Sequence, residues 1–204
     1  MDLILASQSP RRQQMLSEMG VLFQAKPADI DETVLLDETP GHYVARLAVE
    51  KANLIASENQ GAWVLGSDTC VVQVCAEDGF RILGKPENEK AAVETLLSLS
   101  NQWHQVLTAV ALIKVDEHQQ VTQHLVSVVT DVKFKPITKE MAHAYWQTGE
   151  PADKAGGYGI QGKAAIFIES IKGSYSSVVG LPMAETAQLL MDVGIKGWWH
   201  GSST

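Results

Sequence analysis

The sequence has few cysteines, a deficit of basic residues and no long apolar run. Two of its 204 residues are cysteine, and 16 Lys and Arg against 24 Asp and Glu give a formal net charge of −8 at pH 7. A general nucleic-acid binder carries a broadly basic surface, so this balance argues against that class of protein. Apolar stretches such as 106–113 are far shorter than the roughly 20 residues that span a bilayer. We therefore expect a soluble protein whose partners include neither nucleic acid nor a membrane.

The placement of cysteine and histidine gives no sign of a disulfide or a zinc site. If Cys70 and Cys75 lie on one strand, their odd separation directs them to opposite faces. This geometry disfavours a disulfide between them, and the six histidines lack the spacing typical of zinc ligands. The N-terminal segment, with Asp2, has no basic region of the kind that opens a signal peptide. We expect a cytoplasmic protein.

Apolar periodicity predicts a chain in which strands and helices alternate. Strands are expected at 3–6, 21–25, 63–74, 80–83, 106–115, 121–134 and 160–171, with a turn at Asp78. Helices are expected from Pro10 to Gly20 and at 41–59, 91–99, 139–147 and 182–191. Long strands dominate the middle of the chain, so the fold class is α/β with a mixed sheet, in one domain over 1–204. For the tail at 197–200, docking and disorder both remain open.

One lysine breaks the apolar face of the predicted helix at 41–59. The face is formed by Val44, Leu47, Ala48, Leu54 and Ile55. Lys51 falls in line with these residues, inside the apolar stripe. Its stem could pack while the ammonium reaches water, or the ammonium could point into a cleft and meet an anion.

An aspartate lies inside an apolar strand, and other charged residues accompany it. Asp68 stands in the run 63–72, where a carboxylate is unfavourable unless it is paired, solvated in a cleft or bound to a metal. A strand-end cap is the alternative. Lys85 and Glu32 could each be an ordinary solvated residue, and the glycine-rich segment 153–162 could be a tight loop or a ligand-binding one.

The segment 6–12, with sequence ASQSPRR, places two arginines at the start of a helix. Ser9 suits the N-cap and Pro10 the first turn. Adjacent guanidinium groups repel each other unless an anion lies against them. The candidate cations are Arg11, Arg12, Lys51 and Lys85, and the isolated carboxylates are Glu32 and Asp68. This inventory is typical of metal-assisted chemistry on phosphate esters, so it predicts a polyphosphate hydrolase or binder.

Several motifs in chain order resemble those of the Maf family of nucleoside triphosphate pyrophosphatases. They are 6–12 (ASQSPRR), 50–52 (EKA), 66–69 (GSDT), 84–86 (GKP), 153–162 (DKAGGYGIQG), 173–175 (GSY) and 179–182 (VGLP). The resemblance covers nearly the whole chain. It implies an elongated α/β fold with a long mixed sheet, flanking helices and two lobes around a central cleft, related to inosine triphosphatases. It also implies cleavage between the α and β phosphates with Mg²⁺ or Mn²⁺, and a homodimer, which is usual in the family.

The resemblance assigns roles to individual residues. Asp68 matches the general base, the proton acceptor, and also the metal site together with Glu32. Lys51 and Lys85 match the catalytic lysines that bind phosphate. Ser7, Arg11, Arg12, Thr69 and Gln161 match substrate-binding positions.

Three of these positions separate the subgroups of the family. They are Arg11, Thr69 and Gln161, which match the pyrimidine subgroup that acts on dTTP and UTP, with modified pyrimidine nucleotides as further substrates. The 7-methyl-GTP subgroup has Trp, Gln and Glu there. The predicted function is hydrolysis of dTTP and UTP to the monophosphate and pyrophosphate. The alternatives are the 7-methyl-GTP activity and a nucleotide-binding regulator of septum formation in cell division.

Overall fold

The computed structural model describes residues 2–75 and 79–201. The strands are β1 Leu3–Leu5, β2 Gln24–Ala25, β3 Trp63–Cys75, β4 Gly79–Leu83, β5 Trp103–Val115, β6 Val121–Phe134 and β7 Ile168–Lys172. The α-helices are α1 Pro10–Glu18, α2 Pro40–Glu58, α3 Glu89–Leu99, α4 Lys139–Trp146, α5 Tyr175–Val179 and α6 Met183–Asp192. Short 3₁₀-helices occur at Glu150–Asp153, Ala155–Gly157, Lys163–Phe167 and Trp198–His200. The predicted mixed α/β class is confirmed.

The strands form a mixed sheet with the order β2-β1-β3-β5-β6-β7, and β4 pairs with β3. β1 runs parallel to both β2 and β3, whereas β4 is antiparallel to β3 and β7 is antiparallel to β6.

Across residues 2–75 and 79–201, none of the helices combines the length and apolarity that a membrane span requires. Both cysteines remain thiols, Cys70 buried and Cys75 half-buried.

The chain divides into two compact units. The first comprises the described residues of 1–68, 108–128 and 180–204, and the second those of 69–107 and 129–179. The elongated form and the cleft implied by the resemblance remain predictions.

In the first unit, a glycine allows α2 to lie directly against β3. A Cβ on Gly66 would collide with the carbonyl oxygen of Ala48 and lie 2.8 Å from the amide nitrogen of Ala52. Any side chain at this position would push the helix away from the strand, because neither backbone atom can move aside alone. Lys51 precedes Ala52, and Asp68 follows Gly66 by two residues on the same strand. The close approach therefore brings the helix lysine next to the strand aspartate.

The segment 197–200 of the first unit is docked rather than disordered. Trp198 donates its backbone N–H to the carbonyl of Met19, at 3.1 Å, just beyond the end of α1. Gly20 has φ +68°, and a Cβ there would lie 3.1 Å from the amide nitrogen of Trp198. Of the two interpretations left open by the sequence, docking is the one the structure supports.

The second unit has its own core of aliphatic and aromatic side chains. Phe134 lies at its centre, with edge-on contacts to His104 and Tyr158 at ring-centroid distances of 4.8 Å. His104 also forms a 2.7 Å hydrogen bond with the hydroxyl of Tyr158. Burial lowers the pKa of His104 to about 4, so the imidazole is neutral at physiological pH.

Three details of the sequence-based prediction are wrong. The strand expected at 21–25 is reduced to Gln24–Ala25, and Leu54, assigned to the buried face of α2, is 38% exposed. Residues 163–167 form a 3₁₀-helix instead of a strand, because the backbone N–H groups of Lys163 and Ala164 donate to the carboxylate of Glu150. The turn expected at Asp78 lies outside the described residues.

Candidate active site

The first unit contains a buried lysine that binds two carboxylates. Lys51 Nζ donates to Asp68 Oδ1 at 2.7 Å and to Glu32 Oε1 at 2.5 Å. The side chains of Lys51 and Asp68 are 9% and 10% exposed, whereas that of Glu32 is 43% exposed. The lysine therefore does not extend its ammonium into bulk water. Two acidic groups hold it, and one of them is solvent-accessible.

The environment of Asp68 makes its carboxylate more basic than that of an ordinary aspartate. Burial raises its pKa, and this effect outweighs the opposing attraction of Lys51 and Arg12. A carboxylate with a raised pKa is a better proton acceptor when it is ionised. The neighbouring cations favour the ionised state and fix its orientation.

Arg12 lies in the first turns of α1 and is oriented by a loop carbonyl. Its Nε donates to the carbonyl of Gly180 at 2.8 Å, and the hydroxyl of Ser67 donates to the same oxygen at 3.2 Å. Ser7 Oγ accepts from Arg12 Nη1 at 3.4 Å and from the backbone N–H of Ser9 at 3.2 Å. Gly180 has φ +127°, a conformation that favours glycine. The structure thus brings Ser7 and Arg12 together at the start of the helix.

Charge concentrates around Arg12. Burial lowers the pKa of its guanidinium, and the positive charge of the adjacent Arg11 lowers this pKa further. The carboxylates of Asp68 and Glu32 act to raise it. Because burial disfavours the charged form of this half-buried guanidinium, an anion in contact with it would stabilise that form. The N-terminus of α1 contributes further positive potential here. This part of the first unit is electrostatically suited to bind phosphate oxygens.

A second ion pair braces the loop that carries Glu32. Arg46 on α2 donates to both carboxylate oxygens of Glu38, at 2.6 and 2.8 Å, and to the carbonyl of Thr33 at 3.1 Å. This pairing lowers the pKa of Glu38 to about 2. The hydroxyl of Tyr43 donates to the carbonyl of Glu32 at 3.0 Å. This brace leaves no distinctive signal in the sequence, since an arginine four residues before Glu50 resembles any surface helix pair.

Three predicted site residues belong to the second unit. Thr69 is half-buried on β3, whereas Lys85 and Gln161 are exposed in loops. The loop of Lys85 contacts the glycine-rich segment: the N–H of Gly156 donates to the carbonyl of Gly84 at 3.0 Å. Gly156 and Gly157 have φ near +66°, so the segment is a tight loop that requires glycine.

The two carboxylates of the first unit have the chemistry of a divalent-cation site. Within the described residues, no group of three or more His, Cys, Asp and Glu side chains could hold a metal ion. Asp68 Oδ1 and Glu32 Oε1 nevertheless share the ammonium of Lys51 at 2.7 and 2.5 Å, which leaves them at most 5.2 Å apart. Oxygen donors of this kind suit Mg²⁺, which proteins commonly bind through one or two carboxylates and the phosphates of a substrate. The pair fits a cation that arrives with a polyphosphate.

These features define a mixed α/β protein whose first unit places Arg12 and the buried Lys51 beside two carboxylates. The chain belongs to the Maf family: the family model described as Maf-like protein matches residues 2–193. A dTTP/UTP pyrophosphatase of Colwellia psychrerythraea is 50% identical over 97% of this chain and 91% of its own length. One of Hahella chejuensis is 45% identical over 96% and 94%. The structure of a HAM1 protein from Coxiella burnetii has the same fold, with a TM-score of 0.52 and 16% identity over 94% of this chain and 99% of that one.

Proposed function

We propose that this protein hydrolyses dTTP and UTP to the nucleoside monophosphate and pyrophosphate. The observation that carries the proposal is the buried Lys51–Asp68 pair, with Glu32 on the same ammonium and Arg12 close enough to Asp68 to shift its pKa. The relatives of this chain from Colwellia psychrerythraea and Hahella chejuensis are named dTTP/UTP pyrophosphatase, which supports the same substrates here.

Asp68 is the proton acceptor in the proposed reaction. It takes a proton from the water that attacks the α phosphorus, and Lys51 keeps its carboxylate oriented through the 2.7 Å hydrogen bond. Glu32 and Asp68 would hold Mg²⁺ or Mn²⁺. When bound, such a cation neutralises charge on the phosphate oxygens.

The phosphate groups require several cations because negative charge builds up on their oxygens during cleavage. Arg12 and Arg11 would bind them as planar guanidinium forks, with Ser7 donating its hydroxyl. Lys51 and Lys85 would supply the remaining positive charge. On the base, Gln161 would match the O4 acceptor and N3–H donor of uracil or thymine with its amide. Thr69 would add a hydroxyl contact, while Arg11 leaves no aromatic surface on which a purine could stack.

The organisation of the protein is part of the proposal. We infer one Maf-like domain over 1–204, supported by a family match over 2–193 and by three strands, β3, β5 and β6, that contribute residues to both units. A homodimer follows from the family resemblance. Two cysteines in the thiol state support a cytoplasmic location, and the formal charge of −8 argues against nucleic acid as a partner.

The reaction products test the function directly. Incubation with UTP and Mg²⁺ or Mn²⁺ should yield UMP and pyrophosphate in equal amounts, because attack occurs at the α phosphorus. Ion-exchange chromatography separates these products from UDP and orthophosphate. UDP and orthophosphate as the first products would contradict the proposed bond position. Tight nucleotide binding with no turnover would favour the nucleotide-binding regulator instead.

Replacement of Gln161 tests recognition of the base. Gln161→Glu should weaken transition-state binding of UTP by roughly 1–3 kcal/mol, which appears as a lower kcat/KM. A glutamate offers acceptors only and so leaves the O4 of uracil unpaired. Steady-state kinetics with UTP and CTP measure the effect. Gln123→Glu, at an exposed position of β6, adds the same negative charge and serves as the control. Unchanged kcat/KM for UTP in Gln161→Glu would show that this amide does not read the base.

A further inference from the structure

Gln161 occupies a turn whose backbone is closed by a hydrogen bond. The N–H of Gly162 donates to the carbonyl of Gly159 at 3.0 Å, so Ile160 and Gln161 are the two central residues of the turn. Ile160 is 7% exposed and anchors the turn in the interior. Gln161 is exposed on the other side. The direction of its side chain therefore depends on how firmly this turn is held.

Two side chains hold the turn at both ends. The N–H of Gly159, before Gln161, donates to Tyr145 Oη at 3.2 Å. The N–H of Lys163, after Gln161, donates to Glu150 Oε2 at 2.9 Å. Tyr145 donates its hydroxyl to Glu150 Oε1 at 2.7 Å, which links the two ends through one hydrogen-bonded pair. We refer to Tyr145 and Glu150 as the turn clamp.

The turn clamp is itself rigidly placed. Tyr145, on α4, is 4% exposed, and its ring packs edge-on against Phe167 at 5.4 Å. Burial, together with the hydrogen bond to Glu150, raises the pKa of Tyr145, so its hydroxyl stays protonated. Burial alone would raise the pKa of Glu150, but the N–H of Lys163 and the hydroxyl of Tyr145 reverse this and lower it. Glu150 is thus an ionised acceptor.

The glycines of the turn fit the clamp closely. A Cβ on Gly162 would collide with the carboxylate of Glu150, and one on Gly159 would lie 2.7 Å from a side-chain carbon of Lys154. Lys154 in turn donates to the carbonyl of Glu150 at 2.8 Å. The backbone thus approaches the carboxylate of Glu150 closely at Gly162, and at Gly159 it approaches Lys154, which is itself hydrogen-bonded to Glu150.

We propose that Tyr145 and Glu150 are positioning residues that set base selectivity by holding the turn of Gln161 in a single conformation. The inference rests on the proposed role of Gln161 in reading a pyrimidine base. Neither clamp residue needs to touch the substrate. The amide of Gln161 must present its donor and its acceptor at fixed places to favour uracil over cytosine, whose edge has the opposite pattern.

The test compares the ratio of kcat/KM for UTP to that for CTP. Tyr145→Phe keeps the buried ring but removes both the donor to Glu150 and the acceptor for Gly159. We expect it to lower the ratio about 5- to 10-fold, the scale of a lost hydrogen bond. Glu150→Gln should lower it similarly, since its amide NH₂ opposes the N–H groups of the turn. Glu169→Gln is the matched control and should leave the ratio unchanged. Circular dichroism melting checks that each variant is folded.

A double-mutant cycle with Gln161→Glu separates positioning from general stabilisation. If the clamp acts through Gln161, Tyr145→Phe should reduce the ratio no further in the Gln161→Glu background. Equal losses for UTP and CTP, or effects of the two changes that add in full, would overturn the positioning role while leaving the proposed function intact. If Gln161→Glu itself left the ratio unchanged, base reading by Gln161 would fail, and the positioning role would fail with it.

Discussion

Asp68→Asn should leave the protein folded and lower kcat for UTP on the order of 10²- to 10⁴-fold, the range of general base catalysis. Asparagine has the same shape, and its carbonyl oxygen can still accept the hydrogen bond from Lys51 that Asp68 Oδ1 accepts at 2.7 Å. It cannot accept a proton from water at neutral pH. The loss should therefore fall on turnover and much less on nucleotide binding.

Steady-state kinetics and a nucleotide-binding titration together measure this effect. Asp2→Asn is a suitable control, because Asp2 is an exposed aspartate of the same unit. Near wild-type kcat in folded Asp68→Asn would exclude Asp68 as the base. A loss confined to substrate affinity would assign it to binding instead.

Lys51→Met should abolish most activity and lower the free energy of unfolding by about 3 kcal/mol at neutral pH. The substitution takes from the buried Asp68 the ammonium that it binds at 2.7 Å, and breaking a buried ion pair in this way typically destabilises by about 3–5 kcal/mol. We expect a loss at the lower end of this range, because Glu32, the other partner of Lys51, has a side chain that is 43% exposed and remains solvated. Urea unfolding measures the loss. Lys90→Met, at a helix position where the side chain is 85% exposed, should change stability little.

The stability deficit of Lys51→Met should depend on pH. Burial already raises the pKa of Asp68 above 3.8, and loss of the Lys51 charge raises it further. An acid whose pKa is raised by folding destabilises the native state when ionised, and this penalty fades as the pH falls through the folded pKa. The difference between variant and wild type should therefore shrink between neutral pH and about pH 4. A deficit that stays constant over this range would mean that lost packing, not charge, causes it.

Most elements followed from local pattern because helices and strands leave a signature in neighbouring residues. The periodicity of α2 placed Lys51 in an apolar face, and the lysine is 7% exposed in the structure. The same periodicity wrongly assigned Leu54 to the buried face, because at 100° per residue it falls at the edge of the apolar stripe, where the pattern alone does not decide burial. Alternation at 160–171 predicted a strand, but Glu150 takes the N–H groups that a strand would have paired. A contact with a distant carboxylate leaves no periodic signal.

The sequence by itself determined the chemistry available to this protein. The order of its motifs identifies the Maf family, and the arginines, lysines and isolated carboxylates within those motifs suit phosphate chemistry. Residue types and their order are local properties that need no coordinates.

Only the tertiary structure decided how these groups act on one another. The bond between Lys51 and Asp68 depends on the close approach of α2 to β3 at Gly66, and the place of Glu32 depends on the brace formed by Arg46 and Glu38. The raised pKa of Asp68 likewise arises from burial, a property of the packed chain. Distances and desolvation between residues far apart in sequence are set by packing, and no local pattern encodes them.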